Sequence, residues 1–159
     1  MPDLYQPVTD EVKLDAITIL RQSDYGALAT LDPKTGHPQC TRVVIGAFGS
    51  AQPVILVSAL TAHTKAIIKD PRCSLLLGEV QKGDPLINPR LTLNCSAARV
   101  SPDDSELPAI REHWLVQHPK SKIYIDLPDF AFFRLNVIEA TYIAGFGQAF
   151  KLPTDLFSA

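Results

Sequence analysis

Three hydroxyl residues and a lysine surround the point where an apolar segment passes into a short amphipathic one, in "VSALTAHTKAIIKDPR" (57–72). Ser58 ends the apolar segment, Thr61 and Thr64 flank the start of the amphipathic one, and Lys65 follows directly. Backbone N–H groups at a helix start are unpaired and carry a partial positive charge. Hydroxyl groups and an ammonium group beside such a helix start would form a site for a phosphate.

Lys65 and Arg42 are the cations that this site could use. A lysine in the first turn of a helix is electrostatically unfavourable, and a bound anion would reverse that penalty. Arg42 would reach the same place if the second and third predicted strands pair. The simpler interpretation is that Thr61 only caps the helix and Lys65 is solvated, and this segment alone favours that simpler interpretation. The sequence lacks a glycine-rich loop of the Walker type, so nucleoside triphosphate chemistry is not supported.

The four histidines do not indicate a second site. His63, near a helix start, is interpreted as a surface or capping residue, and His37 as a solvated turn residue. His113 and His118 lie five residues apart on a predicted helix and so do not share a face, which argues against a metal site. We predict no metal site, and no residue can be named as catalytic.

Composition narrows the class of protein. The chain has 159 residues, of which 46% are apolar, and this fits one domain spanning residues 1–159. The net charge of −2 with scattered basic residues argues against nucleic-acid binding. The apolar runs are too short to span a bilayer, and the N-terminal sequence does not resemble a secretory signal. Three widely spaced cysteines indicate reduced thiols, so we expect a cytoplasmic protein.

The alternation of apolar segments with turn formers predicts six or seven strands and about three helices. The first helix is expected in "TDEVKLDAITILRQSDYG" (9–26), with Thr9 or Asp10 as its cap. The segments "ALATL", "QCTRVVIGAF" and "VILVSA" predict an antiparallel meander, because the turns between them are too short for crossovers. The run "CSLLLGEV" predicts a fourth strand that is buried on both faces.

The third helix is expected in "SPDDSELPAIREHWLVQHP" (101–119), capped by Ser101, with Pro102 in its first position. Its acidic residues 103, 104 and 106 are interpreted as charges at the helix start rather than as an acid–base pair, and Pro108 does not fit the helix interior. The segment "DFAFFRLNVIEATYIAGFGQAF" (129–150) predicts one or two closing strands with a bend at "AGFG". Together these elements predict a mainly β antiparallel barrel with added helices.

Four segments in this order resemble the FMN-binding split-barrel family, which includes pyridoxamine 5′-phosphate oxidase. They are "HPQCTRVVIG", "PVILVSALTAHTKAIIKDPRCSLLLGE", "GDPLINPRLTL" and "ATYIAGFGQAF". The chain is most similar to the haem-utilisation (HugZ-like) branch. The resemblance covers about residues 25–150 and implies a six-stranded antiparallel split barrel, dimeric, with FMN sites at the subunit interface.

The resemblance also implies which residues hold the cofactor. Arg42 of the second strand and the group at the junction, Ser58, Thr61, Thr64 and Lys65, correspond to residues that hold the FMN phosphate, and Val43 would offer backbone contacts to the flavin. Three departures from the branch are visible. Ala66 replaces its usual asparagine, and Ala144 replaces the first glycine of its "GGFG" segment. No histidine follows His118, whereas haem-degrading relatives have a histidine near the C-terminus as their haem ligand.

Two function hypotheses follow from this resemblance. The first is an FMN-dependent oxidoreductase that acts on a small molecule, with binding and orientation as the protein's part. The second is a non-catalytic protein that carries flavin or haem, because a fold does not fix a function. The sequence identifies neither the substrate nor the electron donor.

Overall fold

The computed structural model describes residues 3–159. In it, seven antiparallel strands form one sheet. The strands are β1 (Tyr25–Leu31), β2 (Pro38–Phe48), β3 (Gln52–Ser58), β4 (Arg72–Leu77), β5 (Arg90–Arg99), β6 (Phe130–Gly145) and β7 (Gln148–Leu152). The helices are α1 (Asp10–Gln22), α2 (Ala62–Lys69) and α3 (Leu107–Gln117). None of the helices among residues 3–159 is long and apolar enough to cross a membrane.

The sheet closes into a barrel because β3 pairs with β6 as well as with β2. The strand order is β3-β2-β1-β4-β5-β6-β7, and the additional β3–β6 pairing joins the first six of these positions into a ring. β7 pairs with β6 and lies outside the ring, and Tyr5 forms an isolated parallel bridge with Ala149 of this strand. Gln6 donates a backbone hydrogen bond to the Ala149 carbonyl oxygen over 2.8 Å. The predicted six-stranded split barrel with about three helices is confirmed.

β2 and β3 pair over only part of their length. Their register runs from Phe48 opposite Gln52 to Ile45 opposite Ile55. Beyond that point β2 continues along β1, whereas β3 continues along β6 as far as Ser58, which lies opposite Phe130. The two strands therefore diverge, and α2 follows immediately after β3 at this opening.

Alternating side chains of the strands fill the barrel interior, as the period of two in a strand requires. The largest fully buried side chains include Leu28, Ile45, Ile55, Leu75, Leu91, Leu93 and Leu135. α1 adds Ala16 and Leu20 to this core. The Thr9 hydroxyl caps the N-terminus of α1 by accepting a hydrogen bond from the Val12 N–H, as predicted. A second apolar cluster packs Ile110 and Trp114 of α3 against the outer face of β3 and β6.

Two sequence predictions about elements are wrong in detail. The third helix begins at Leu107 and not at Ser101, because the Asp104 carboxylate binds Arg134 of β6, with 2.9 Å between their charged atoms. Pro108 consequently lies in the first turn, where a missing N–H costs no hydrogen bond. β4 is not buried on both faces, since Leu76 points outward and is 47% exposed.

The three cysteines should differ sharply in reactivity. Burial raises the pKa of the Cys73 thiol to about 11, and burial together with the nearby Cys73 raises the pKa of Cys95, whereas Cys40 is exposed. Because the thiolate is the reactive form, we expect an aromatic disulfide reagent at about pH 8 to modify Cys40 alone in the folded protein. All three should react in denaturant, and rapid reaction of a second thiol in the folded protein would contradict this packing.

Candidate functional site

The hydroxyl residues predicted at the junction do lie together in the structure. Thr61 occupies the N-cap position of α2, and its hydroxyl donates to the Ser58 carbonyl oxygen over 2.9 Å. The Thr61 and Thr64 hydroxyl oxygens are 2.8 Å apart. The short β3–α2 connection thus places Ser58, Thr61 and Thr64 around the first turn of the helix.

The N-terminus of α2 lacks the side-chain cap and the acidic residues that α1 has at its N-terminus. α1 has a side-chain cap and two acidic residues in its first turn, Asp10 and Glu11. In α2 no side chain of the described residues caps the first turn, and that turn carries Lys65 instead of an acid. Unpaired N–H groups and a cation at one helix end attract an anion. The Thr61 hydroxyl therefore does not cap the helix, contrary to the simpler interpretation of the sequence.

The two candidate cations are exposed and lie on different elements. Lys65 is exposed and forms no ion pair among residues 3–159. Arg42 on β2 is exposed too, and its guanidinium lies over the Tyr25 ring, 5.3 Å from the ring centroid. Val43, the next residue, is buried in the barrel core, so its side chain is not available to a ligand. No contact joins Arg42 directly to the hydroxyl residues in the described part of the chain.

His63 connects α2 to the diverging part of β2. Its Nδ1 atom lies 3.2 Å from the hydroxyl oxygen of Thr41, the residue before Arg42. Burial lowers the pKa of His63 and so favours the neutral imidazole. The interpretation of His63 as a capping or surface residue is wrong in this respect, because the side chain is half-buried and contacts a strand. The sequence could not indicate this contact, which depends on where β2 and β3 separate.

Asp129 is the residue at this site that the sequence reasoning missed. The Ser58 hydroxyl donates to the Asp129 carboxylate over 2.6 Å, and the Ala59 N–H donates to the Asp129 carbonyl oxygen over 2.7 Å. The Ser58 oxygen also accepts from the Leu60 N–H at 3.1 Å. The Ser58 hydroxyl proton is therefore engaged with a carboxylate and would have to leave it to bind another anion.

An open groove of about 630 Å³ lies on the outer face of the barrel beside Arg42. Arg42, Tyr25 and Glu79 line it together with apolar side chains such as Leu76. The Tyr25 hydroxyl donates to the Glu79 carboxylate over 3.0 Å, and this hydrogen bond raises the pKa of Tyr25. Such a volume and such a mixture of apolar and polar groups are typical of sites for small molecules.

Two other polar side chains, His118 and Arg134, have structural roles. His118 bonds the Ile45 carbonyl oxygen at 2.6 Å through its Nε2 atom and packs on Trp114. Arg134 binds both Asp104 and Glu106. No group of three or more His, Cys, Asp or Glu side chains among residues 3–159 could hold a metal ion.

Comparison with known proteins agrees with the split-barrel fold of the structure. The family model described as pyridoxamine 5′-phosphate oxidase matches residues 15–144. The chloroplastic non-canonical heme oxygenase HOZ of Arabidopsis thaliana is 33% identical over 134 residues, which are 84% of this chain and 40% of that protein.

Solved structures are similar over almost the whole chain. A heme-binding protein from Mycobacterium smegmatis has a TM-score of 0.83 and 30% identity, over 95% of this chain and 61% of that one. A protein of unknown function from Agrobacterium tumefaciens has a TM-score of 0.79 and 34% identity, over 91% of this chain and 62% of that one. The chain thus spans about two fifths of the length of HOZ and about three fifths of these two structures.

We expect that replacing His63 by alanine will not abolish the binding of any cofactor at this site. The imidazole contacts Thr41 on the barrel, and the helix N–H groups and the threonine hydroxyls remain in the variant. Fluorescence titration of FMN against wild type and His63→Ala would measure this, with circular dichroism to verify the fold. Complete loss of flavin by a folded variant would assign His63 a direct role in binding.

Proposed function

Because the chain belongs to the pyridoxamine 5′-phosphate oxidase family, we propose that it binds FMN and acts as a flavin-dependent oxidoreductase on a small molecule. The observation that carries this proposal is the N-terminus of α2. It combines an uncapped first turn without acidic residues, hydroxyl groups on both sides of the turn, and an unpaired lysine among the described residues. A phosphate group complements each of these features.

In this proposal the residues divide into a phosphate-binding set and a set that faces the flavin ring. Lys65 and Arg42 supply positive charge to the phosphate, and Ser58, Thr61 and Thr64 supply hydroxyl groups. The backbone of Val43 and the groove beside Arg42 would contact the ring. The bound flavin would supply the redox chemistry, and the protein would bind and orient it beside a small substrate.

The groove beside Arg42 is open to solvent in the single chain. Arg42 lies over the Tyr25 ring, and the Tyr25 hydroxyl donates to Glu79, so these two contacts favour one position of the guanidinium before any ligand binds. A cation held in place in this way loses less conformational entropy when it binds an anion. No acidic or basic side chain in the groove is assigned to proton transfer.

A second candidate function is a non-catalytic protein that carries flavin or haem. Two similar proteins favour this function: the Mycobacterium smegmatis protein is a heme-binding protein, and HOZ is a non-canonical heme oxygenase. The sequence has no histidine after His118, so a haem ligand near the end of this chain would need another residue type.

Visible spectroscopy of the purified protein separates the two functions. FMN would give a flavin spectrum whose bands shift on binding and bleach with an added reductant, followed by reoxidation during turnover. A bound flavin that is never reoxidised by a small-molecule acceptor, or a Soret band that develops with haem while FMN produces no change, would favour the second function.

The homodimer that we propose uses the outer face of the barrel. On this face Ala27 lies opposite Leu76, and Leu76 lies opposite Thr92, so small and apolar side chains form a continuous row across β1, β4 and β5. Leu76 is 47% exposed and Val44 is 38% exposed in the single chain. A second copy that covers this face would remove these apolar groups from water.

Replacing the phosphate-binding cations should weaken FMN far more than riboflavin, which lacks the phosphate. A hydrogen bond to a charged group contributes ~1.5–3 kcal/mol, so Lys65→Ala or Arg42→Ala should reduce FMN affinity roughly 10- to 150-fold. The unfolding free energy of ligand-free Lys65→Ala should be unchanged or slightly higher, because a cation leaves the positive end of a helix. Isothermal titration with both ligands measures the effect, and equal losses for FMN and riboflavin would refute the phosphate assignment.

Sedimentation velocity at micromolar concentration should give a species of twice the 17.4 kDa chain mass. Leu76→Glu should produce monomers, because it places a charge in the proposed interface. Val116→Glu is the matched control, since Val116 is 80% exposed on α3, away from this face. A monomeric wild type, or a Leu76→Glu protein that remains dimeric, would refute the proposed interface.

A further inference from the structure

A carboxylate lies beside the hydroxyl cluster at the start of α2. The Asp129 side chain accepts the Ser58 hydroxyl proton over 2.6 Å, and Ser58 belongs to the same cluster as Thr61 through a hydrogen bond of 2.9 Å. Asp129 forms no ion pair with a lysine or arginine among residues 3–159. Its charge is therefore not neutralised by a neighbour in the described structure.

This carboxylate opposes a phosphate in two ways. It holds the hydroxyl proton of Ser58, which a phosphate would need as a donor, so that the two acceptors compete for one hydrogen bond. It also repels a phosphate monoester, which carries more than one negative charge at neutral pH. The uncapped helix end and Lys65 attract the same group, so the net affinity is a difference between opposing effects.

We infer that Asp129 reduces the preference of the proposed site for FMN over riboflavin. It weakens the binding of the phosphate group and leaves the binding of the uncharged part of the ligand unaffected. The inference rests on the proposed function, in which FMN binds at α2. Its consequence is that FMN binds less tightly than it would at the same site without this carboxylate.

A purely structural role for Asp129 leads to a different expectation. Its backbone carbonyl oxygen accepts the Ala59 N–H, and this bond ties the start of β6 to the β3–α2 connection whatever the side chain is. If the carboxylate served only to fasten Ser58, then Asp129→Asn, which keeps an acceptor oxygen, would leave ligand affinity unchanged or lower it. A gain of affinity that depends on the phosphate cannot come from such a role.

The test compares FMN and riboflavin binding by wild type and Asp129→Asn, using isothermal titration at one fixed ionic strength. We expect Asp129→Asn to bind FMN about tenfold more tightly, because a neutral acceptor replaces a charged one, and riboflavin with unchanged affinity. Asp103→Asn is the control for net charge, since Asp103 is exposed and lies in the turn before α3. Asp129→Ser serves as a second variant if the asparagine protein does not fold.

The outcomes separate this inference from the proposed function. If wild type binds FMN better than riboflavin but Asp129→Asn gains nothing, the inference is wrong and the proposed function survives. If only Asp129→Asn binds FMN, the inference is supported. If neither protein binds FMN, both are wrong, and an equal gain in Asp103→Asn would show that only net charge matters and overturn the inference.

Discussion

The pairing of β3 with two different strands is the constraint on which the rest of the molecule depends. β3 begins beside β2 and ends beside β6, and this change of partner both closes the barrel and opens a gap next to β2. A strand has hydrogen-bonding groups on two edges, so β3 remains paired with β6 along one edge where its other edge separates from β2. The junction that carries Ser58 exists because β3 ends at this opening.

The electrostatic character of the opening follows from which residues the chain places there. α2 begins directly after β3, and its first turn contains Lys65 and no acidic residue. Asp129 arrives from the other strand of the β3–β6 pair, because Ser58 lies opposite Phe130 and Asp129 precedes Phe130. The same backbone pairing that closes the barrel therefore brings a carboxylate to a helix end that would otherwise favour anions.

Much of this arrangement was predictable from local sequence, and the rest depends on pairing between distant segments. The elements, the cap at Thr9 and the cluster of Ser58, Thr61 and Thr64 follow from short-range patterns, because each involves residues close in the chain. The contacts His63–Thr41 and Ser58–Asp129 span 22 and 71 residues, and no local pattern specifies them. The start of α3 was missed for the same reason, since Arg134, 30 residues away, binds Asp104.

β7 lies outside the closed ring and has a consequence for the solubility of the protein. A strand that is paired on one side offers its remaining N–H and C=O groups to any other chain, which is the usual starting point for β-aggregation. Here the backbone of Gln6 occupies one of these positions by donating to Ala149, and Tyr5 forms a parallel bridge with the same residue. Tyr5 and Gln6 thus cover part of the exposed edge of β7. A shortened protein that lacks these residues would leave this edge free to pair with strands of other molecules.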